Sequence, residues 1–180
     1  MKYAIAYLIK GEAGRYNQKL IRDVGPKFNE TYMIENPMPS HVTLKYSFNA
    51  TLKQLSELEK FLARFSKRFK QQKIIINGFG HFRRFVAFLN VEFSEQAVEI
   101  HRELNKELSN LEWMGWNKFD NQYNQYHGTI SYGNTRKSFD NVWNYIRRLK
   151  RCVFELRFDN IAILKEEKRG WKVHREFKIR

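Results

Sequence analysis

Two short words in the sequence carry residue types that move protons. Pro39-Ser40-His41-Val42-Thr43-Leu44 and Tyr126-His127-Gly128-Thr129-Ile130 each read His-x-Thr followed by an aliphatic residue. Both lie in β-prone segments, where successive side chains alternate between faces. His41 and Thr43 are therefore expected on one surface, and His127 and Thr129 on another, with the aliphatic residues turned to the core. The same faces are expected to continue through Lys45 and Ser47 in the first word and Ser131 in the second. Two half-sites of this kind suit cleavage of a phosphodiester. That reaction needs a base for the attacking oxygen, an acid for the departing one, and donors for the phosphoryl oxygens. Histidine serves in either proton role near neutral pH. Five histidines and five threonines placed at random give two such words in roughly one sequence in a hundred, so the doubling is the signal.

Other residues invite weaker readings. His81, followed by Phe82, Arg83 and Arg84, sits beside a glycine-rich turn where a phosphate or base could be met. Tyr46, Phe82, Tyr126 and Tyr132 could stack a base, although each alone is more often a packing residue. His101 falls on the apolar stripe of a helix and reads as a hydrogen-bonded core histidine. His174, in a lysine-rich strand, reads as a surface residue. Paired cysteines, His-x-x-x-His and clustered carboxylate loops are missing from the sequence, so no metal and no cofactor is expected.

The elements that must position these residues follow from periodicity. Residues 3–9 read as a strand and 15–28 as a helix; Pro37-Met38-Pro39 then enforces extended backbone ahead of a strand over 42–48. Thr51 and Gln54 form a capping-box signature for a helix whose stripe is Leu52, Leu55, Leu58, Leu62, Phe65 and Phe69. Strands over 73–77 and 85–93 flank Asn77-Gly78-Phe79-Gly80, expected as a hairpin turn. Ser94 caps a helix striped by Ala97, Ile100, His101, Leu104, Leu108 and Leu111, and residues 113–125 form a polar, aromatic-rich loop. A strand over 126–132 ends at Gly133-Asn134. A helix from Ser138 through Leu149 follows, then two closing strands over 153–164 and 171–179. The fold class is α+β, in one domain spanning residues 1–180.

The net charge of +14 and pI near 9.9 point to phosphate-bearing partners, because a field of that sign concentrates anions. RNA or a nucleotide is the expected substrate, and no obligate protein partner is evident. The runs 147–151 and 165–169 read as solvated basic faces or an RNA-tracking surface. The apolar stretch 3–9 is far shorter than the ~20 residues a spanning helix needs. One cysteine, Cys152, fits a reducing compartment, so a cytoplasmic location is expected.

Taken with the Gly78-Phe79-Gly80-His81-Phe82 stretch and the closing strand pair, the two words resemble the two-histidine (2H) phosphoesterase superfamily. That superfamily includes the bacterial RNA 2′,3′-cyclic phosphodiesterases historically called 2′-5′ RNA ligases. The resemblance covers nearly the whole chain. It implies a bilobal, duplicated fold in which two antiparallel sheets line a central cleft with helices outside. It also implies catalytic histidines at His41 and His127, phosphate-positioning threonines at Thr43 and Thr129, and a metal-independent phosphoric diester hydrolase. Lys45, Ser131, Tyr132, His81, Phe82 and Arg83 are the expected substrate contacts. The second word departs from the family, which often has proline before this histidine and a branched residue after it, where Tyr126 and Gly128 stand here. Three activities stay open at this point: hydrolysis of a 2′,3′-cyclic phosphate, cleavage of 2′-5′ oligoadenylate or a cyclic dinucleotide, and RNA binding without turnover. Ligation is disfavoured as the main activity, because the sequence shows no nucleotide-activation motif such as a phosphate-binding Gly-rich loop with its lysine, and any joining would be reversal of the same transesterification.

Overall fold

Two strands carrying one word each have to be brought together, and two sheets achieve this in the computed structural model, which describes residues 1–133 and 136–180. The first half of the chain runs β1 (Lys2–Leu8), α1 (Gly11–Phe28), the single turn α2 (Tyr32–Glu35), β2 (His41–Asn49) and α3 (Leu52–Phe65). β3 (Gln72–Phe82), β4 (Val86–Phe93), α4 (Glu95–Leu108), β5 (Tyr126–Tyr132) and α5 (Arg136–Ile146) follow, and β6 (Val153–Phe158), β7 (Asn160–Glu166) and β8 (Trp171–Lys178) close the fold. One sheet has the order β2-β1-β7-β8 and the other β5-β4-β3-β6, with every pair antiparallel. The α+β, duplicated class expected from the sequence is the class observed. Asn134, expected to end β5, lies outside the described residues.

The helices follow their caps and stripes. Thr51 Oγ1 accepts from Gln54 N–H while Gln54 Oε1 accepts from Thr51 N–H, which closes the capping box; Leu55, Leu58, Leu62 and Phe65 are buried. Leu52 is 70% exposed, since the first turn overhangs the core, and Phe69 lies beyond the helix in extended backbone. Ser94 Oγ accepts from Ala97 N–H at the start of α4. Leu111 and Leu149 fall outside their helices but still pack on the core. α1 starts four residues earlier than its periodicity suggests, at Gly11.

Two strand assignments change. Residues 153–164 are two strands broken at Asp159: β6 is an edge strand on β3, whereas β7 lies centrally between β1 and β8. Their patterns differ accordingly. β6 alternates in exposure, while β7 is buried from Asn160 to Leu164, as a central strand must be. The Gly78-Gly80 segment is not the hairpin turn either. β3 continues through it to Phe82, with a register shift between Ile76 and Phe79 and Gly78 at φ +72°. This is a β-bulge that needs the left-handed conformation glycine adopts freely. The chain reverses later, at Arg83 (φ +48°), where Phe85 N–H donates to Phe82 O.

Candidate active site

β2 and β5 are edge strands of different sheets, and they pack against each other without a shared hydrogen-bond ladder. On β2, His41 stands opposite Leu8 and Thr43 opposite Ala6; on β5, His127 stands opposite Asn90 and Thr129 opposite Phe88. Immediately after each threonine the strand gains one residue over its neighbour. Lys45 pairs with Ile5, leaving Leu44 unpaired, and Ser131 pairs with Ala87, leaving Ile130 unpaired. A bulge of this kind reverses the alternation beyond it. Exposure therefore follows the same sequence over His41–Lys45 and His127–Ser131: half-buried, buried, half-buried, buried, buried.

The bulges correct two expectations at once. Lys45 does not continue the face of His41 and Thr43. It is 0% exposed, and its Nζ donates to Asp120 Oδ2 (2.8 Å), Gly115 O (2.8 Å) and Tyr46 O (3.3 Å). Ser131 is turned inward by the same device and is buried. The next residues, Tyr46 and Tyr132, turn outward again, and the charge of Tyr132 is felt at Tyr46. Each half-site is thus His-x-Thr-x-x-Tyr, a spacing that simple alternation hides.

Each imidazole is tied to the backbone two residues upstream. His41 Nδ1–H donates to Pro39 O (2.7 Å), which leaves Nε2 for chemistry, and His127 makes a hydrogen bond with the Gln125 backbone. Burial disfavours the imidazolium of His41 and lowers its pKa, against the opposing pull of the Pro39 carbonyl. His127 is brought down to about 4 by burial and, secondarily, by the charge of His41, with the Gln125 backbone opposing. The charge of His41, felt at His127, places the two rings within electrostatic reach of each other. Close packing of the strands also explains the departure at Gly128. A Cβ there would stand 3.0 Å from Ile9 Cδ1 and 3.9 Å from His41 O, so Ile9 fills the space a branched residue would need.

α1 braces both strands through a residue the periodicity did not single out. Asn17 is buried on the apolar face of the helix; its Nδ2 donates to Thr129 O (3.1 Å) and its Oδ1 accepts from Ser40 Oγ (2.8 Å). One amide therefore touches the residue before His41 and the backbone of Thr129. The visible signal was a polar residue among Ala13, Leu20, Ile21 and Val24 at helical spacing. His101 is the core histidine its stripe implied. Nε2–H donates to Leu44 O (2.6 Å), the carbonyl of the bulge, and Nδ1 accepts from Tyr126 Oη (3.0 Å). Burial lowers its pKa to about 4 against the pull of Leu44 O and Asp120.

Of the expected contacts on the β3–β4 hairpin, Phe82 reaches the site and His81 does not. The Phe82 ring meets His127 edge-on at 4.8 Å and Phe88 at 4.5 Å. His81 points to the opposite face, between Phe139 (5.5 Å) and Trp143 (4.7 Å) of α5, with Nδ1–H donating to Arg83 O. The strand period separates the two neighbours. Arg83 is exposed at the turn beside Phe82. Phe88 packs 5.1 Å from His127 and lies over Gly80, where a Cβ would come within 2.4 Å of Cε2 of its ring. Gly80→Ala is expected to push Phe88 against His127, destabilising the fold by about 1–3 kcal/mol through overpacking. Turnover should fall further than the loss of folded protein accounts for. Urea unfolding beside kinetics on the folded fraction tests this; unchanged stability and kcat would refute it.

Among the described residues, no group of three or more His, Cys, Asp or Glu could hold a metal ion, and no helix is long and apolar enough to cross a membrane.

A family model described as the 2'-5' RNA ligase superfamily matches residues 21–170, a span that contains both words. Among solved structures, TT0787 of Thermus thermophilus matches with a TM-score of 0.65 at 14% identity, covering 100% of this chain and 98% of that one. E. coli LigT complexed with 3'-AMP matches with a TM-score of 0.60 at 11% identity, covering 99% and 97%. LigT complexed with phosphate matches with a TM-score of 0.53 at 13% identity, covering 99% and 96%. At these identities the likeness is one of fold. No curated protein matches the sequence.

Proposed function

Since the chain belongs to the 2'-5' RNA ligase superfamily, the two-histidine phosphoesterases, we propose that it is a metal-independent phosphodiesterase that opens 2′,3′-cyclic phosphates at RNA ends or in small nucleotides. The observation that carries the reading is the equivalence of the half-sites: two strands, each with its histidine, threonine and bulge in the same register, packed edge to edge. In the reaction, water attacks phosphorus in line with the ribose 3′ oxygen. One imidazole of the His41–His127 pair takes the proton from water, and the other, entering as imidazolium, gives its proton to the 3′ oxygen as the bond from phosphorus to that oxygen breaks. The product is a 2′-phosphate, and the exchange of a proton between the rings resets the pair. Thr43 and Thr129 donate to the non-bridging oxygens, where charge builds in the transition state. Phe82 and Tyr132 offer ring faces to the base, and Arg83 offers charge to an adjoining phosphate. The complexes of E. coli LigT with 3'-AMP and with phosphate support a nucleotide as the ligand of this fold.

The pKa directions dictate a pH profile. Both rings in the free site lose their protons below the ordinary 6.5, His127 near 4. The competent form holds one proton on the pair, so it is depleted as pH rises past the upper apparent pKa, which belongs to the pair rather than to either ring. kcat/KM is expected to peak on the acid side of pH 6.5 and to fall about tenfold per unit beyond it. A bound phosphate anion favours imidazolium, so the kcat profile should lie at higher pH than that of kcat/KM. The assay is hydrolysis of a nucleoside 2′,3′-cyclic phosphate in chelator, run beside a 2′-5′ dinucleotide and a cyclic dinucleotide. Preferential turnover of either comparator would replace the substrate, and dependence on added metal, or kcat/KM rising from about pH 6 to about pH 9, would overturn the mechanism.

A further inference from the structure

The loop between α4 and β5 is firmly anchored, yet it turns large rings outward. Lys45 Nζ holds Gly115 O, Asp120 accepts from the N–H groups of Tyr46 and Asn117, Asn105 Nδ2 donates to Asp120 O (2.8 Å), and Met114 is buried. Between these anchors Trp116 is 39% exposed and Phe119 43%. The Trp116 ring lies over Lys45 Nζ at 4.7 Å, and the loop so held leaves the outer part of that ring, like the Phe119 ring, facing outward. Phe119 lies 5.8 Å from the ring of Tyr46, the residue that turns outward again after the bulge. Lys118 Nζ sits 5.1 Å from the Phe119 ring. Trp116 also lines a cavity of about 320 Å³ together with Arg102, Lys106, Ser109 and Tyr123. The Arg102 guanidinium stacks 5.4 Å from the Tyr123 ring, with Glu99 3.4 Å away as its ion-pair partner.

Rings alternating with cations, continuous with a phosphate-cleaving cleft, match what unpaired nucleic acid needs: faces for bases and charge for the backbone. We infer that the 113–125 loop extends the cleft into a track for single-stranded RNA. Bases stack on Phe119 and Trp116, phosphates meet Lys118, Arg102 and Lys106, and the substrate is the end of an oligonucleotide rather than a free nucleotide. This rests on the proposed activity for its direction but is tested apart from it.

The probe is an RNA octamer with a 3′-terminal 2′-phosphate, which the proposed hydrolysis cannot cut, compared by fluorescence anisotropy with the corresponding dinucleotide. The octamer is expected to bind at least about tenfold tighter, from the usual worth of a base–aromatic stack. Trp116→Ala/Phe119→Ala should abolish that advantage, and Lys118→Glu, at an exposed site that leaves the anchors intact, should weaken octamer binding and flatten its salt dependence. Thermal unfolding verifies that the variants are folded. Equal affinity for octamer and dinucleotide, a double variant that keeps the length dependence, or equally tight binding of duplex RNA would overturn the track. A chain that binds the octamer with length dependence yet opens no cyclic phosphate would overturn the activity and leave the track standing.

Discussion

His41→Ala and His127→Ala are each expected to lower kcat on a nucleoside 2′,3′-cyclic phosphate by about 10²–10⁴-fold, the usual worth of one positioned proton-transfer group. The double variant should be little worse than either single one. Base and acid act on the same in-line displacement, so removing one strands the other, and losses within such a unit do not add. KM should change far less, because Thr43 and Thr129, each two residues along its histidine's strand, remain to hold the phosphoryl oxygens. Both histidines keep part of their surface in solvent, so truncation leaves no sealed cavity and unfolding should shift little. Paired kinetics and unfolding measurements decide the matter: unimpaired turnover in either variant ends the two-histidine mechanism. Losses that multiply in the double variant would mean that the two rings serve separate steps.

How much of this site could be read from the sequence depended on the range of the interaction involved. That His41 shares a strand face with Thr43, and His127 with Thr129, is legible because strand alternation is local. Thr51-Gln54 and Ser94 were legible for the same reason, since a cap involves residues three apart. Simple alternation puts Lys45 and Ser131 on the wrong face, because a bulge is a relation between two strands that only the register against β1 and β4 reveals. Gly78 misled similarly: a glycine at positive φ serves a bulge or a turn equally well, and pairing with β4 and β6 selects the bulge. The break at Asp159 did leave a trace. Val153–Phe158 alternates and Ile161–Leu164 does not, a change of period that marks an edge strand giving way to a central one. Asn17 as the brace between half-sites needed three dimensions, because it joins segments far apart in the chain.

The strongest effect on stability is expected at the buried pair Lys45–Asp120, both side chains being 0% exposed with Nζ 2.8 Å from Oδ2. Lys45→Met should cost about 3–5 kcal/mol, chiefly by leaving a carboxylate buried without its cation. Asp120→Ala should cost at least as much. It strands the ammonium and also removes the acceptor for the Tyr46 and Asn117 N–H groups. Lys45→Met/Asp120→Asn tests which part of the loss is charge. Asparagine retains a carbonyl for Tyr46 N–H while the pair becomes neutral, so the double variant is expected to be more stable than Lys45→Met alone. Urea unfolding measures the order, and because the pair is shielded from solvent the differences should persist at high salt. A double variant less stable than Lys45→Met would mean that the stranded carboxylate is not the chief cost of losing the cation. The pair also anchors the 113–125 loop beside Tyr46. Lys45→Met should therefore impair octamer binding along with stability, and the double variant should recover both together.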